Sequence, residues 1–393
     1  MNPTSIQLHP GREASVHRNH HWIFSGAVRK INGDAKDGDL VVVLSSSGAT
    51  LGYGHYSPSN ITVRMLQFGP AAFSATFWKD KLQSAWQLRK RLDLVDHSQT
   101  NAYRLIHGEG DCLPGLVIDI YDGHAVIQCH SPGMYRAVNE IAVALHDIYA
   151  NELKAIYHKS KESLGASIPA ANNSFLFGDA ESTVIRENGH EYVVNWVTGQ
   201  KTGFFLDQRD NRKLLGTLCC NRSVLNLFAY SGGFSVYALA GGASQVDSVD
   251  VSQTAMSLLD QNMGRVQGVE APHLSFTTPV NEFIKDCGQY DVIVCDPPAF
   301  AKSLSKRHQA LIGYKNLNAK VLMKVSSGGF LLTFSCSQVM DRELFQQTLL
   351  AAALESGRRV KILQHLGQGP DHPVNIYHPE GAYLKGLLLY VED

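Results

Sequence analysis

No stretch of this 393-residue chain is long and apolar enough to span a bilayer, although 44% of it is hydrophobic. A helical membrane span is therefore excluded, and two or three buried cores are expected. Net charge is nearly absent too: 35 Lys and Arg stand against 36 Asp and Glu, leaving −1. The sum predicts neither a basic nor an acidic partner, so only the distribution of charge is informative. The seven cysteines are odd in number, include the neighbours Cys219 and Cys220, and form no C-x-x-C pair. That excludes a disulfide framework and a cysteine-built metal site. The first residues lack a basic-then-apolar leader, so a cytoplasmic location is expected. Internal repeats and low-complexity tracts are missing as well.

Two short strings stand out against this plain background. Asp296-Pro297-Pro298-Ala299-Phe300 follows the apolar run 290–295, and Phe334-Ser335-Cys336-Ser337 follows the run 328–333. Each should lie where a buried parallel strand ends, which is where open α/β sheets keep their chemistry. Two prolines after a carboxylate make a rigid turn, and a cysteine ending the next strand would face the same crevice. The pairing points to an enzyme acting on a flat heterocycle with Cys336 as covalent nucleophile. Cys295, inside its strand, reads as structural.

Upstream, a strand at 223–228 runs into the tight turn Ala229-Tyr230-Ser231-Gly232-Gly233-Phe234, then a helix, then a second strand ending in Asp250. Strand, glycine turn, helix and a strand-terminal acid form the nucleotide-cofactor arrangement, with Asp250 placed to accept from both ribose hydroxyls. The turn is not G-x-G-x-x-G and lacks the glycine that would bring a helix N-terminus against a pyrophosphate. A cofactor without phosphates fits better, and S-adenosylmethionine is the obvious one.

These strings, with Lys201-Thr202-Gly203-Phe204-Phe205-Leu206-Asp207-Gln208-Arg209, occur in the order seen in a known family. So do the segments 103–106, 108–111 and 113–116, and the closing runs 371–373, 379–381 and 383–386. Over essentially its whole length the chain resembles the bacterial 23S ribosomal RNA large-subunit methyltransferase I family of cytosine-C5 enzymes. The resemblance implies an α/β fold class, in which a Rossmann-like methyltransferase domain (181–393) follows a PUA-like β barrel (1–72) and a small central α/β domain (73–180). It implies cofactor contacts from Phe205, Asp207, Gln208, Arg209, Asn226, Phe228, Ser231, Gly232, Asp250 and Ser252. Cys336 and Asp296 would be catalytic. Pro297, Pro298, Phe300, Lys302, Lys306 and Arg307 would meet the substrate, an RNA, with no metal. One departure stands out: Thr278-Pro279-Val280-Asn281 occupies the place of the acidic residues that usually bind the adenine amino group. Weaker cofactor affinity than in close relatives is expected, with Asn281 or a backbone carbonyl substituting.

Local patterns fill in the rest. Residues 1–70 alternate strand-like runs with turns and carry Arg12, Arg18, Arg29 and Lys30 against Glu13 alone in the first thirty positions. Phosphate contact is therefore plausible there. Trp22 and Phe24 read as core, and His17, His20 and His21 lack a ligand partner at metal-binding spacing. Apolar residues at helical spacing from Ala75 to Leu94 predict a connecting helix. A hairpin is expected around Asp122-Gly123, then a helix over 135–149 and a strand near Ile156. From Ala301 to Lys324 the chain carries six basic residues and no acid, which favours a phosphate-facing segment. The sequence leaves open a base-nitrogen methyltransferase on the same fold and a non-catalytic RNA-binding protein. It also leaves open whether the chain is a monomer or a homodimer.

Overall fold

The structure is a computed structural model that describes residues 4–301 and 303–392, the side chain of Ala166 excepted. The predicted substrate residue Lys302 lies outside the described residues. Among those described, no helix is long and apolar enough to cross a membrane. The chain divides into two compact units, one made of Met1–Thr183, Asn195–Gly203 and Pro370–Gly381, the other of Val184–Val194, Phe204–Gly369 and Ala382–Asp393.

The first unit holds two sheets. In the N-terminal one, six strands lie in the spatial order Trp22–Phe24, Ile61–Phe68, Thr50–Tyr56, Leu40–Leu44, Ser5–Leu8, Val28–Asn32. Period-2 alternation puts Ile6, Leu8, Val41, Val43, Val63 and Met65 on the inner face. The second is five-stranded, in the order Ser174–Phe177, Ala155–His158, His124–Cys129, Leu116–Tyr121, Ala102–His107. Its central hairpin turns on Asp122 and Gly123 with φ of 49° and 79°, as a two-residue turn of that twist requires. The connecting helix runs Phe77–Arg91, with Leu82 and Ala85 buried in the core beside this sheet.

Several local expectations need correction. The helix expected over 135–149 is two helices, Pro132–Arg136 and Val138–Tyr149, because Ala137 departs from helical geometry at ψ 2°. Phe24 is not core but 42% exposed, whereas Trp22 is half-buried on His378, ring centroids 4.4 Å apart, and donates to Glu109 at 2.8 Å. His20 does meet a carboxylate, but one 360 residues away, with Nε2 3.4 Å from Glu380 Oε1. Sequence spacing could not reveal that neighbour.

In the second unit, a seven-stranded sheet consists of β1 (Ser223–Leu227), β2 (Gln245–Asp250), β3 (His273–Thr277), β4 (Tyr290–Cys295), β5 (Val325–Ser335), β6 (Val360–Leu366) and β7 (Lys385–Val391). Their order is β3-β2-β1-β4-β5-β7-β6, with β7 antiparallel to both neighbours. The helices are α1 (Arg209–Gly216), α2 (Gly233–Ala240), α3 (Gln253–Met263), α4 (Val280–Asp286), α5 (Arg307–Leu322) and α6 (Arg342–Ser356). β1 and β4 are buried through Val224, Leu225, Val292, Ile293 and Val294, as strands covered on both faces must be. Strand order reverses between β1 and β4, and a ligand crevice opens at the carboxyl ends beside such a switch point.

Candidate active site

The register lines up the strand ends that matter. Leu227 pairs with Cys295, Cys295 with Thr333, and Asp250 with Thr277. The residues after β1 and β4 and the last residues of β2 and β5 therefore share one edge of the sheet.

The turn after β1 is strained. Phe228 and Tyr230 adopt positive φ, 60° and 47°, a conformation costing about 1–3 kcal/mol for each non-glycine residue. The surroundings hold it there. Ala229 N–H donates to Val249 O at 3.0 Å and Gly232 N–H to Ala229 O at 2.9 Å. Asp250 accepts from Tyr230 N–H at 3.0 Å and from Ser252 N–H at 2.9 Å. Its carboxylate is thus aimed by two backbone amides and keeps lone pairs for a diol. Among the described residues, the buried Ser231 Oγ has no hydrogen-bond partner, an unmet polar atom of the kind a bound ligand satisfies. Opposite the turn, Phe205 meets Tyr230 edge-on, centroids 5.2 Å apart. These residues fit an adenosine-type cofactor.

A Cβ at Gly232 (φ 82°) would lie 2.8 Å from Leu259. Gly232→Ala should therefore lower the melting temperature and weaken S-adenosylmethionine binding at least tenfold by calorimetry, from backbone strain of about 1–2 kcal/mol plus overpacking. Unchanged values in both measurements would mean the turn has an unstrained alternative.

Several residues expected at the cofactor also make contacts within the fold. Asn226 is buried and donates to Ser235 Oγ at 2.8 Å, tying β1 to α2. Ser252 caps α3, accepting from Ala255 N–H at 3.2 Å. Arg209 is buried with Nε 3.7 Å from Glu187. Asp207 accepts from the Tyr383 hydroxyl at 2.5 Å. Gln208 donates to Asp296 Oδ2 at 2.9 Å and accepts from Asn211 at 2.6 Å. Sequence reading missed this last link, since it joins two strings 88 positions apart.

Beyond β4, Asp296 is half-buried and Pro297 buried, while Pro298 and Phe300 face solvent. Phe300 lies on Tyr314, centroids 4.4 Å apart at 35°. Its ring can do so because position 313 is glycine, where a Cβ would come within 2.9 Å of it. Cys336 is half-exposed one residue beyond β5. The two strings are joined directly, since Ser337 Oγ donates to Ala301 O at 2.8 Å. Burial pushes the Tyr314 phenol up to about 12, and the charges of Cys336 and Asp296 act in the same direction. Tyr314 thus senses both groups at once. Cys295, by contrast, is fully buried and its thiol is pushed well up by burial.

The basic run 301–324 is less uniform than its sequence. Lys306 is exposed and Arg307 half-exposed. Lys315 is paired with Glu355, and Lys324 is tied to Cys287 O at 2.6 Å. Asn281 is exposed at the start of α4.

Known proteins share this arrangement. The family model for S-adenosylmethionine-dependent methyltransferases matches residues 103–389, and that for PUA-like domains residues 6–68. A ribosomal RNA large subunit methyltransferase I from Alteromonas mediterranea is 39% identical over 400 residues, covering 99% of both chains. A protein from Streptococcus mutans, described as an S-adenosylmethionine-dependent methyltransferase, has the same fold, with a TM-score of 0.84 at 24% identity over 98% of this chain and 100% of its own. A methyltransferase solved with S-adenosylhomocysteine superposes with a TM-score of 0.85, 24% identity and the same coverage. The cofactor is S-adenosylmethionine, and the chain belongs to the ribosomal RNA large subunit methyltransferase I family of S-adenosylmethionine-dependent methyltransferases.

Proposed function

We propose that this chain methylates carbon 5 of a cytosine in large-subunit, 23S ribosomal RNA through a covalent Cys336 adduct. The reading rests above all on a half-exposed thiol at the end of β5, one strand over from the Asp296 carboxylate. An RNA substrate is supported by the likeness to the ribosomal RNA large subunit methyltransferase I from Alteromonas mediterranea and by the PUA-like match.

Bound S-adenosylmethionine supplies an electrophilic methyl group. Carbon 5 of cytosine is too weak a nucleophile to take it unaided. The Cys336 thiolate adds at carbon 6, forming the C–S bond and moving the C5–C6 electron pair onto the ring, which makes carbon 5 enamine-like. Asp296 accepts from the amino group of a flipped base and shares the proton that N3 takes up in the adduct, and Gln208 keeps that carboxylate pointed inward. Pro297 and Pro298 wall the base, and Phe300 stacks on it. Once carbon 5 carries the methyl, loss of its proton returns the electron pair and expels the thiolate.

Asp250, Ser231 and Gly232 hold the adenosine half of the cofactor, with Phe205, Phe228 and Asp207 closing over it. Lys306 and Arg307, with residues 1–72, bind phosphates, while 73–180 form the central domain and 181–393 the catalytic one, acting in the cytoplasm. Mass spectrometry of nucleosides from ribosomal RNA should find one 5-methylcytidine fewer in cells lacking this gene. An unchanged 5-methylcytidine content, with a methylated guanosine or adenosine missing instead, would point to base-nitrogen transfer.

A further inference from the structure

The proposed nucleophile is surrounded by buried groups whose roles the reaction scheme leaves open, and the strongest of them is a lysine. Lys385 opens β7 opposite Ser335, the residue immediately before Cys336. It is only 4% exposed. Its ammonium donates to the carbonyl of Ser337 at 2.7 Å and to that of Tyr383 at 2.6 Å. It therefore grips the backbone just past the cysteine. A buried ammonium normally demands an anion, yet among the described residues no carboxylate lies within ion-pair distance of it.

The groups that act on it electrostatically come from two elements. Cys336 follows β5, and Asp341 and Arg342 begin α6. Asp341 is already engaged, accepting from Leu344 N–H at 2.8 Å as the α6 cap. Arg342 repels. Tyr314 on α5 feels the charges of both Cys336 and Asp296. Of the charges acting on Lys385, that of an ionised Cys336 is the largest that favours the ammonium, and the Ser337 carbonyl that Lys385 holds lies one residue beyond that thiol.

We propose that Lys385 is the positioning residue for Cys336: its buried ammonium keeps the sulfur anionic, and its two carbonyl contacts fix the turn that presents it. The proposal rests on the covalent reading above for its catalytic meaning, but not for its electrostatics. A thiolate beside a cation is both more abundant and better placed at neutral pH. Burial holds Lys385 down to about 8, Arg342 adds to that, and Cys336 and Asp341 push it back up. The support for the thiolate is therefore complete below about pH 8 and fades as pH rises through that value.

The test uses the full-length protein without RNA. Iodoacetamide alkylation is followed against pH by peptide mass spectrometry, and the exposed Cys220 serves as internal reference. Cys336 should alkylate with a midpoint about one pH unit below that of Cys220. Lys385→Met should slow its alkylation at pH 7 roughly tenfold and leave Cys220 unchanged. Lys385→Arg, which keeps the charge, should restore the fast reaction. In methyl transfer, Lys385→Met should lower kcat at pH 7, recover part of it at pH 9, and leave the KM for S-adenosylmethionine unchanged. If the methionine variant does not fold, the wild-type and arginine profiles still decide. Equal midpoints for Cys336 and Cys220 in both would overturn the proposal. A shifted midpoint in a protein whose Cys336→Ala variant still methylates RNA would leave Lys385 in place and remove the covalent mechanism instead.

Discussion

Replacing Cys336 with alanine should reduce methyl transfer by at least four orders of magnitude while changing S-adenosylmethionine affinity less than twofold. The thiol lies at the end of β5, separate from Asp250 and the Ser231–Gly232 turn, so its loss leaves the adenosine contacts intact. The reaction, however, loses its covalent route, and carbon 5 is too poor a nucleophile to react without it. RNA carrying 5-fluorocytosine at the target should form a denaturation-resistant complex with the wild type, because fluorine cannot leave as a cation and the final elimination stalls. Cys336→Ala should form none. Cys336→Ser should also be inactive, since a hydroxyl is far less ionised than a thiol at neutral pH. Asp296→Asn should be slow, not dead, and trap weakly. Substantial transfer by the alanine variant would remove the carbon-5 mechanism and favour methylation of a ring nitrogen.

The second large effect is on stability. Glu187 and Arg212 are both buried, with Arg212 Nε and Nη2 donating to the two carboxylate oxygens at 2.8 and 2.6 Å. Nη1 of the same guanidinium donates to Phe205 O at 2.9 Å, and its plane lies over Phe204, 4.6 Å from the ring centroid. Arg212→Ala would take the bidentate partner from a carboxylate with no exposure, leaving it Arg209 at 3.7 Å and the Tyr237 hydroxyl at 3.2 Å, and free the loop carrying Phe205. Breaking such a pair from one side costs about 3–5 kcal/mol, which corresponds to a melting temperature lower by roughly 10 °C for a unit of this size. Cofactor affinity should fall as well, because Phe205 no longer has a fixed position. The double change Glu187→Leu with Arg212→Met should recover only part of the melting temperature, since Arg209, buried with Nε 3.7 Å from Glu187, then loses that carboxylate. Calorimetric scans of both variants make the comparison. A single variant as stable as wild type would show that water reaches Glu187.

Much of the site was legible because its residues sit at the ends of strands, where a buried apolar run stops and chemistry begins. Asp250, Asp296, Cys336 and the glycine turn could all be located from that change of pattern. Gly232 is the clearest case, with its positive φ and the crowding by Leu259. Illegible were the contacts between strings: Gln208 with Asp296, Ser337 with Ala301, Lys385 with the turn after β5. Each needs strand order, and periodicity carries no information about which strands are neighbours. The partners of buried polar side chains were illegible for a related reason. Asn226 and Ser252 sit where a cofactor residue should, and Asn226 also donates to Ser235 while Ser252 accepts from the amide of Ala255. A one-dimensional pattern cannot say whether a polar atom already has a partner. The basic run 301–324 overstated its available charge for the same reason, Lys315 and Lys324 being occupied.

The segment Pro370–Gly381, which belongs to the first unit although it lies between β6 and β7 of the second, has a consequence for the order of assembly during synthesis. Arg89, with no exposed side chain, is held by Asp111 and by the carbonyl of Asp371 at 2.8 Å. The amide of Arg104 waits for the Asp371 carboxylate, 3.0 Å away in the finished structure. Neither can be satisfied when residue 183 leaves the ribosome. At translation rates of about 5–20 residues per second, the closing segment arrives roughly 10–40 s later. Over that interval the nascent first unit carries a buried guanidinium short of one acceptor, so it should be protease-sensitive until the last few dozen residues emerge. A truncated chain ending near residue 366 should stay that way.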